Sequence, residues 1–249
     1  MVLLIAGCAG TVRAPDSQEP AATSGDKNFE LDRFRWQGDM GGRECVIAAN
    51  EWGDLRVRTT HRGEMAISAV IQKIGVTEDE FEILVEPAAE CMEVRVATKT
   101  PEPGGRVDLT LLVPPGLRLE GRTRDGLTEI KYDGDVAART RGGQIIIASL
   151  RTASASSISG DIIARLDGSA WGSPLEFESE RGDIIVSLPD DANAELHART
   201  TGAIDSEFPG RTTASAYAGT SLDETLGHGG PNIEITSDSG NVRIVARPK

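Results

Sequence analysis

Aromatic side chains make up only 4% of this 249-residue chain: five Phe, three Trp and two Tyr. A core built round large rings is therefore excluded, and any interior must be filled by Val, Ile, Leu and Ala, which suits thin β-layers. Histidine is as scarce. His61, His197 and His228 stand at no metal-ligand spacing; His197 reads as an outward strand residue and His228 as a loop residue in "LGHGGPN". Three cysteines without a C-x-x-C pair give no zinc site. The chain also lacks G-x-S-x-G, H-E-x-x-H and P-loop motifs, so no catalytic residue, metal or cofactor is expected. Basic residues number 26 against 39 acidic ones, a net charge of −13 that repels nucleic acid and anionic lipid. No segment approaches the roughly 20 apolar residues of a membrane-spanning helix, and no helical period of useful length appears.

What the chain has is glycine in phase. After Gly53, Gly126, Gly134, Gly143, Gly160, Gly182, Gly202 and Gly240, the residues two and four places on are Leu55/Val57, Thr128/Ile130, Val136/Ala138, Ile145/Ile147, Ile162/Ala164, Ile184/Val186, Ile204/Ser206 and Val242/Ile244. A spacing of two with apolar residues is a strand with one buried face. Glycine supplies the turn before it, where φ is positive or backbones crowd. The steps 126–143 and 143–160 are both 17, Gly134 splits the first as 8 and 9, and later steps are 22, 20 and 38. The last is read as two turns of the repeat with one glycine missing. Coils of 17–22 residues predict an all-β, single-stranded β-helix or β-solenoid over 117–249, with each residue stacked on its equivalent about 4.8 Å away. Seven coils would make a column of about 34 Å. The upstream flank repeats as "GRTRDG", "ARTRGG" and "ARTTG". A wider frame, "LVPPGLRLEGRTRDGL" and "SLPDDANAELHARTTGAI", runs twice from an apolar-Pro turn to Thr and Gly.

Residues 28–116 are less regular. Strands are predicted in 51–72, around His61-Arg62-Gly63-Glu64, and in 81–87. A hairpin in 91–115 turns at Pro103-Gly104-Gly105, and the whole reads as an N-terminal β cap.

The segments "GDVAARTRGGQIII", "SISGDIIARL", "SERGDIIVSLPDDANAELHARTTGAIDSEFP" and "SDSGNVRI" resemble the T-x-S-G-D-I signature of the bacterial family named putative adhesins. The resemblance covers about 45–249. It implies an envelope domain of single-stranded β-helix fold without established catalytic residues. Arg181 and Thr201 stand where the family often has Ser, and Ala203 and Asn241 where it often has Asp.

The opening "MVLLIAGCAG" resembles a bacterial lipoprotein lipobox, with Cys8 as the lipidated residue and 1–8 as a truncated signal. The absent basic n-region and short apolar run imply that a longer signal precedes Met1. Ala9 after the cysteine resembles outer-membrane sorting. Residues 9–27, rich in Ala, Pro, Ser and charge, read as a flexible tether. In an oxidising envelope Cys45 and Cys91 form an even pair, bridged or left as two buried thiols; a bridge closing 46 residues stabilises by about 4 kcal/mol on the chain-entropy model.

Four further features stand out. Asp54, Asp135, Asp161 and Asp183 follow glycine, and turn propensity accounts for them better than calcium, although Asp161 and Asp183 would stand close enough for one ion. Arg122, Arg139 and Arg199 precede Thr and would align as a basic stripe, for an anionic polysaccharide or, more readily, for neighbouring acids. Trp171 in "GSAWGS" looks exposed, and the tail "GNVRIVARPK" looks like a blocker of a sheet edge. The resulting expectation is a non-catalytic, lipid-anchored envelope module. It would face the periplasm or the surface, be monomeric, bind an envelope protein or polysaccharide, and touch the membrane only through its lipid. The alternatives are a β-helical polysaccharide-acting enzyme, a self-assembling structural protein and an envelope sensor.

Overall fold

The computed structural model describes residues 29–74, 80–169, 171–215 and 219–248. Cys8, the 1–8 segment and the 9–27 tether lie outside them. Every regular element described is a strand. In chain order they begin with β1 (Phe29–Asp39), β2 (Cys45–Asn50), β3 (Leu55–Thr59), β4 (Glu64–Ile74), β5 (Phe81–Ala88), β6 (Cys91–Thr98) and β7 (Gly105–Val113). Next come β8 (Arg118–Thr123), β9 (Thr128–Tyr132), β10 (Asp135–Thr140), β11 (Ile145–Ser149), β12 (Ala153–Ser157), β13 (Ile162–Leu166), β14 (Leu175–Ser179) and β15 (Ile184–Pro189). The chain closes with β16 (Ala194–Thr200), β17 (Ile204–Ser206), β18 (Arg211–Ser215), β19 (Gly219–Leu226), β20 (Asn232–Ser237) and β21 (Val242–Arg247).

These strands form two unclosed sheets. One runs β1-β4-β7-β3-β9-β11-β13-β15-β21-β17, the other β18-β19-β16-β20-β14-β12-β10-β8-β2-β6-β5. From β6 to β17 successive strands alternate between the sheets, so β8 and β9, for example, make one tier with a strand in each. Tiers stack in parallel register: Ile145 pairs with Ile162, and Ile162 with Ile184. The alternating side chains meet between the sheets. Leu55, Ile130, Ile145, Ile162, Ile184 and Ile244 are each fully buried, and Phe177, beside Ala155 and Ile235, is the largest of the fully buried side chains. The second Ile of each Ile-Ile step points outward, so Ile146, Ile163 and Ile185 line up as a half-buried stripe. Gly134 belongs to a different stack from the other phased glycines, because the pair that follows it, Val136 and Ala138, lies in the second sheet beside Leu119 and Gly121.

Chain order and tier order differ at both ends. The β2/β3 tier sits between β6/β7 and β8/β9, and the β20/β21 tier sits between β14/β15 and β16/β17. Two short connections therefore skip a tier: 114–117, from β7 to β8, and 190–193, from β15 to β16. These are the two apolar-Pro turns that recur in the sequence. The first is clamped by Tyr132, whose hydroxyl donates to the Pro114 carbonyl (2.6 Å) and accepts the Leu117 N–H (3.0 Å). At the second, Asp190 N–H donates to the Arg247 carbonyl (2.9 Å), and the Arg247 guanidinium reaches the Leu166 carbonyl and Asp167.

Three expectations are corrected here. The 91–115 segment is not a hairpin, because β6 and β7 lie in different sheets and pair with β2 and β5, and with β3 and β4, respectively. No coil is missing between Gly202 and Gly240; that span leaves the parallel stack as β18 and β19, which pair antiparallel, and returns as β20. The tail "GNVRIVARPK" does not block an edge, because β21 lies inside its sheet, between β15 and β17. The parallel stack is flanked instead by antiparallel β1, β4 and β5 on one side and β18–β19 on the other, and β17 is the one parallel strand that ends a sheet among the described residues. Cys45 and Cys91 are register partners on β2 and β6, with Cα atoms 4.5 Å apart, and are joined in a disulfide.

Burial pushes the Tyr132 phenol up to about 12. Its folded-state value exceeds the unfolded one, so the stabilisation is fully present below about pH 10 and is lost as pH rises through about 12, a loss of about 2 kcal/mol by about pH 12. Urea unfolding at pH 9 and pH 12 should show this decline in the native chain and a decline smaller by that amount in Tyr132→Phe.

Candidate functional site

At every tier except β6/β7, where the chain turns from the second sheet into the first, the sequence reads Asn, Ser or Thr, two residues, then Gly. The copies are Asn50–Gly53, Thr123–Gly126, Thr140–Gly143, Ser157–Gly160, Ser179–Gly182 and Ser237–Gly240, with Thr200–Gly202 one residue shorter. The hydroxyl residues are buried, none above 7% exposed, and each finds backbone partners. Thr140 Oγ1 donates to the Arg124 carbonyl and accepts the Gly143 N–H, both at 3.1 Å. Ser157 Oγ accepts the Gly160 N–H at 2.7 Å, Ser179 Oγ donates to the Gly160 carbonyl at 3.2 Å, and Ser237 Oγ donates to the Gly182 carbonyl at 2.9 Å. Polar groups shut between the sheets would each cost about 1–3 kcal/mol if left unpaired; paired, they fix the register of the corner.

The glycines are required by closeness. A Cβ on Gly126, Gly143, Gly160, Gly182, Gly240 or Gly202 would run into the carbonyl oxygen of Gly53, Gly126, Gly143, Gly160, Gly182 or Gly240, respectively. One residue on, a second ladder forms. Asp54 Oδ1 accepts the Leu127 N–H (3.0 Å), Asp161 Oδ1 the Asp183 N–H (2.9 Å), Asp183 Oδ1 the Asn241 N–H (2.7 Å) and Asn241 Oδ1 the Ala203 N–H (3.1 Å). The carboxylate after glycine is thus a splint between tiers. Among the described residues no three His, Cys, Asp or Glu side chains converge as metal ligands.

Outside this scaffold the two residues between hydroxyl and glycine form the tips of the corner. Arg124, Asp125, Arg141, Ile158, Ser159 and Arg181 line an open groove of about 430 Å³ there. Arg124 lies over the Trp52 ring, 4.2 Å from its centroid, and pairs with Asp125 at 3.1 Å. Arg141 and Arg181 are exposed and make no ion pair among the described residues. Parallel tiers set Arg124 and Arg141 about 5 Å apart along the stack and Arg181 about 10 Å further. Three guanidiniums in one shallow groove give planar, bidentate donors for carboxylate or sulfate groups.

The residues singled out in the sequence fare unevenly. Arg122 and Arg139 are register neighbours, but Arg199 is separated from them by Ser156, Glu178 and Thr236, so the stripe is interrupted. Arg122 pairs with Glu120 at 2.8 Å. The groove arginines lie one or two residues further along, past the Thr or Ser, where the alternation of the strand ends. Trp171 is no exposed platform: it is 6% exposed and belongs to the core. His197 Nδ1 meets Asp223 Oδ1 at 2.7 Å on the exposed face of β16, His61 is exposed in the turn before β4, and the His228 backbone N–H donates to Asn193. On the first sheet's outer face, Glu129 is held below the ordinary carboxylate range by hydrogen bonds from Arg58 and Lys131.

The fold has solved counterparts. A crystal structure from Clostridium sporogenes ATCC 15579, named a putative cell adhesion protein, matches with a TM-score of 0.50 at 12% identity, covering 88% of this chain and 100% of its own. One from Bacteroides fragilis NCTC 9343, named a putative adhesin, matches with a TM-score of 0.40 at 12% identity, covering 87% and 97%. No protein-family model and no curated protein matches this chain. The first likeness shows the all-β fold to be shared.

Thr140→Val keeps the volume of the side chain but leaves the Gly143 N–H without its acceptor. It is expected to lower the free energy of unfolding by about 1–3 kcal/mol, read as a lower urea midpoint at unchanged slope, while Thr140→Ser recovers most of the loss.

Proposed function

We propose that this chain is a non-catalytic, adhesin-like binding module of the cell envelope, a single-stranded β-solenoid that holds an acidic polysaccharide along its arginine-lined corner. The observation that carries this reading is the groove of Arg124, Arg141 and Arg181 on a body of net charge −13. An open groove crossing several tiers suits a chain-like ligand touching successive tiers rather than a small molecule enclosed in a pocket. Nucleic acid, with a charge every 1.7 Å of duplex, would meet repulsion from the rest of the surface; a glycan with a carboxylate every one or two sugars meets only the groove.

The fold shared with a protein named for cell adhesion supports the same direction. Lipidation at Cys8, with 9–27 as the tether, would hold the domain off a membrane with the groove free. The Cys45–Cys91 disulfide accords with an oxidising compartment. The antiparallel covers at both ends of the stack favour a monomer over an end-to-end filament. The burial of Trp171 removes the sugar platform that a polysaccharide-acting enzyme of this shape would use.

Calorimetry with polyuronate and neutral glycans of equal length tests the reading. The polyuronate should bind and the neutral glycan should not, and Arg124, Arg141 and Arg181 together changed to Ala should weaken binding at least tenfold. Raising salt from 50 to 500 mM should weaken it as well. Equal binding by the triple variant, or cleavage of the glycan, would contradict it.

A further inference from the structure

At the C-terminal end the stacking order fixes a relation between parts of the chain that is independent of what the corner groove holds. In passing from β15 to β16 through 190–193, the chain leaves one strand position open in each sheet, and β20 and β21 fill them. In the second sheet Ile233 lies against Leu175 of β14 and Leu196 of β16. In the first, Val242 lies against Ile184 of β15 and Ile204 of β17. Ile233, Ile235, Val242 and Ile244 are at most 1% exposed. The pair acts as a staple, with two arms and the bend 238–241. Its arms are hydrogen-bonded on both sides, and its bend is fastened by Ser237 to the Gly182 carbonyl and by the Asn241 N–H to Asp183.

The staple is joined to the preceding structure through 227–231, Gly-His-Gly-Gly-Pro. Because β16 lies between β19 and β20, this connection has to pass over β16. Gly227 and Gly229 take left-handed backbone (φ 58° and 76°), and the His228 N–H ties the connection to Asn193 Oδ1 at 2.9 Å. The contacts that hold the staple come from side chains and ladders that are the same whichever copy of the chain supplies it. Only the connection selects the staple's own copy.

We propose that β20–β21 is an exchangeable element. The space between the β14/β15 and β16/β17 tiers is a binding site for this segment, and a second copy of the chain supplies it in trans when the connection cannot reach. Such exchange of an identical element is a low-cost route to a dimer. The site recognises an extended-bend-extended peptide with apolar residues at 233, 235, 242 and 244, a serine at 237 and an asparagine at 241.

Shortening the connection tests this. Deleting Gly227–Gly230 leaves one linking residue, a reach of about 7 Å between strand ends, against two strand spacings of about 10 Å with β16 in the way. Light scattering after gel filtration should then give twice the monomer mass, with far-ultraviolet dichroism unchanged. A folded monomer of that variant would overturn the proposal. Should the variant not fold, the unmodified chain warmed to just below its unfolding midpoint with a labelled peptide of residues 231–248 should retain one peptide per chain. The same peptide carrying Ile235→Asp and Ile244→Asp should be lost. Failure to retain the matched peptide would equally overturn the proposal.

Discussion

The closeness of backbone to backbone at one corner governs the rest of this molecule. At each tier the carbonyl oxygen of one glycine occupies the space a side chain of the next would need, from Gly53 through Gly126, Gly143, Gly160 and Gly182 to Gly240 and Gly202. Such contact is possible only if the tiers are parallel and in register. That condition in turn puts the apolar residues two and four places on into one continuous column between the sheets. Buried hydroxyls on one side of the glycine and Asp or Asn on the other convert the approach into hydrogen bonds, so a corner without side-chain bulk is still held firmly.

This arrangement separates stacking order from chain order. Any segment carrying a hydroxyl residue, two tip residues, a glycine and an alternating apolar pair fits any tier, and what assigns it a place is the length and conformation of its connections. Two proline-bearing turns carry the chain across a tier; the Tyr132 hydroxyl of the tier being entered fastens the first, and the Arg247 carbonyl of the tier being skipped fastens the second. The antiparallel strands at either end then cover the stack. A surface results whose variable residues are only those the scaffold leaves free, namely the tips of the corner and the outward positions of the strands. The arginines of the groove are of that kind.

Much of the framework was legible because one contact constrains sequence tightly. The glycines and the inward pairs after Gly126, Gly143, Gly160, Gly182 and Gly240 announce strands with one buried face, and the structure puts each of those pairs in the core. The order of tiers was not legible, because Gly202 and Gly240 carry the same signature and nothing local tells which lies next to Gly182. The repeated apolar-Pro frame was visible, but its meaning, a skipped tier, appears only once pairing partners are known. Asp161 and Asp183 read as turn formers, since a carboxylate accepting an N–H from a residue 22 places on leaves no local trace. The groove arginines were not legible, because Arg124, Arg141 and Arg181 stand one or two residues past the Thr or Ser that ends the strand, where the alternation that marks inward and outward positions has stopped. Trp171 was misread for a related reason: glycine and serine around it suggest exposure, while the 167–174 connection brings the indole into the core.

The tier order is the part of this account most open to direct trial. Cysteines at Glu176 and Glu234, outward register partners on β14 and β20, would have Cα atoms about 5 Å apart, within disulfide reach, as Cys45 and Cys91 already are. Cysteines at Glu176 and His197 would be two strands apart, about 10 Å, and out of reach. Mild oxidation followed by peptide mass mapping should therefore show the 176–234 bridge and no 176–197 bridge. A chain that instead bridged 176 to 197 would have its tiers stacked in simple sequence order, contrary to the structure described.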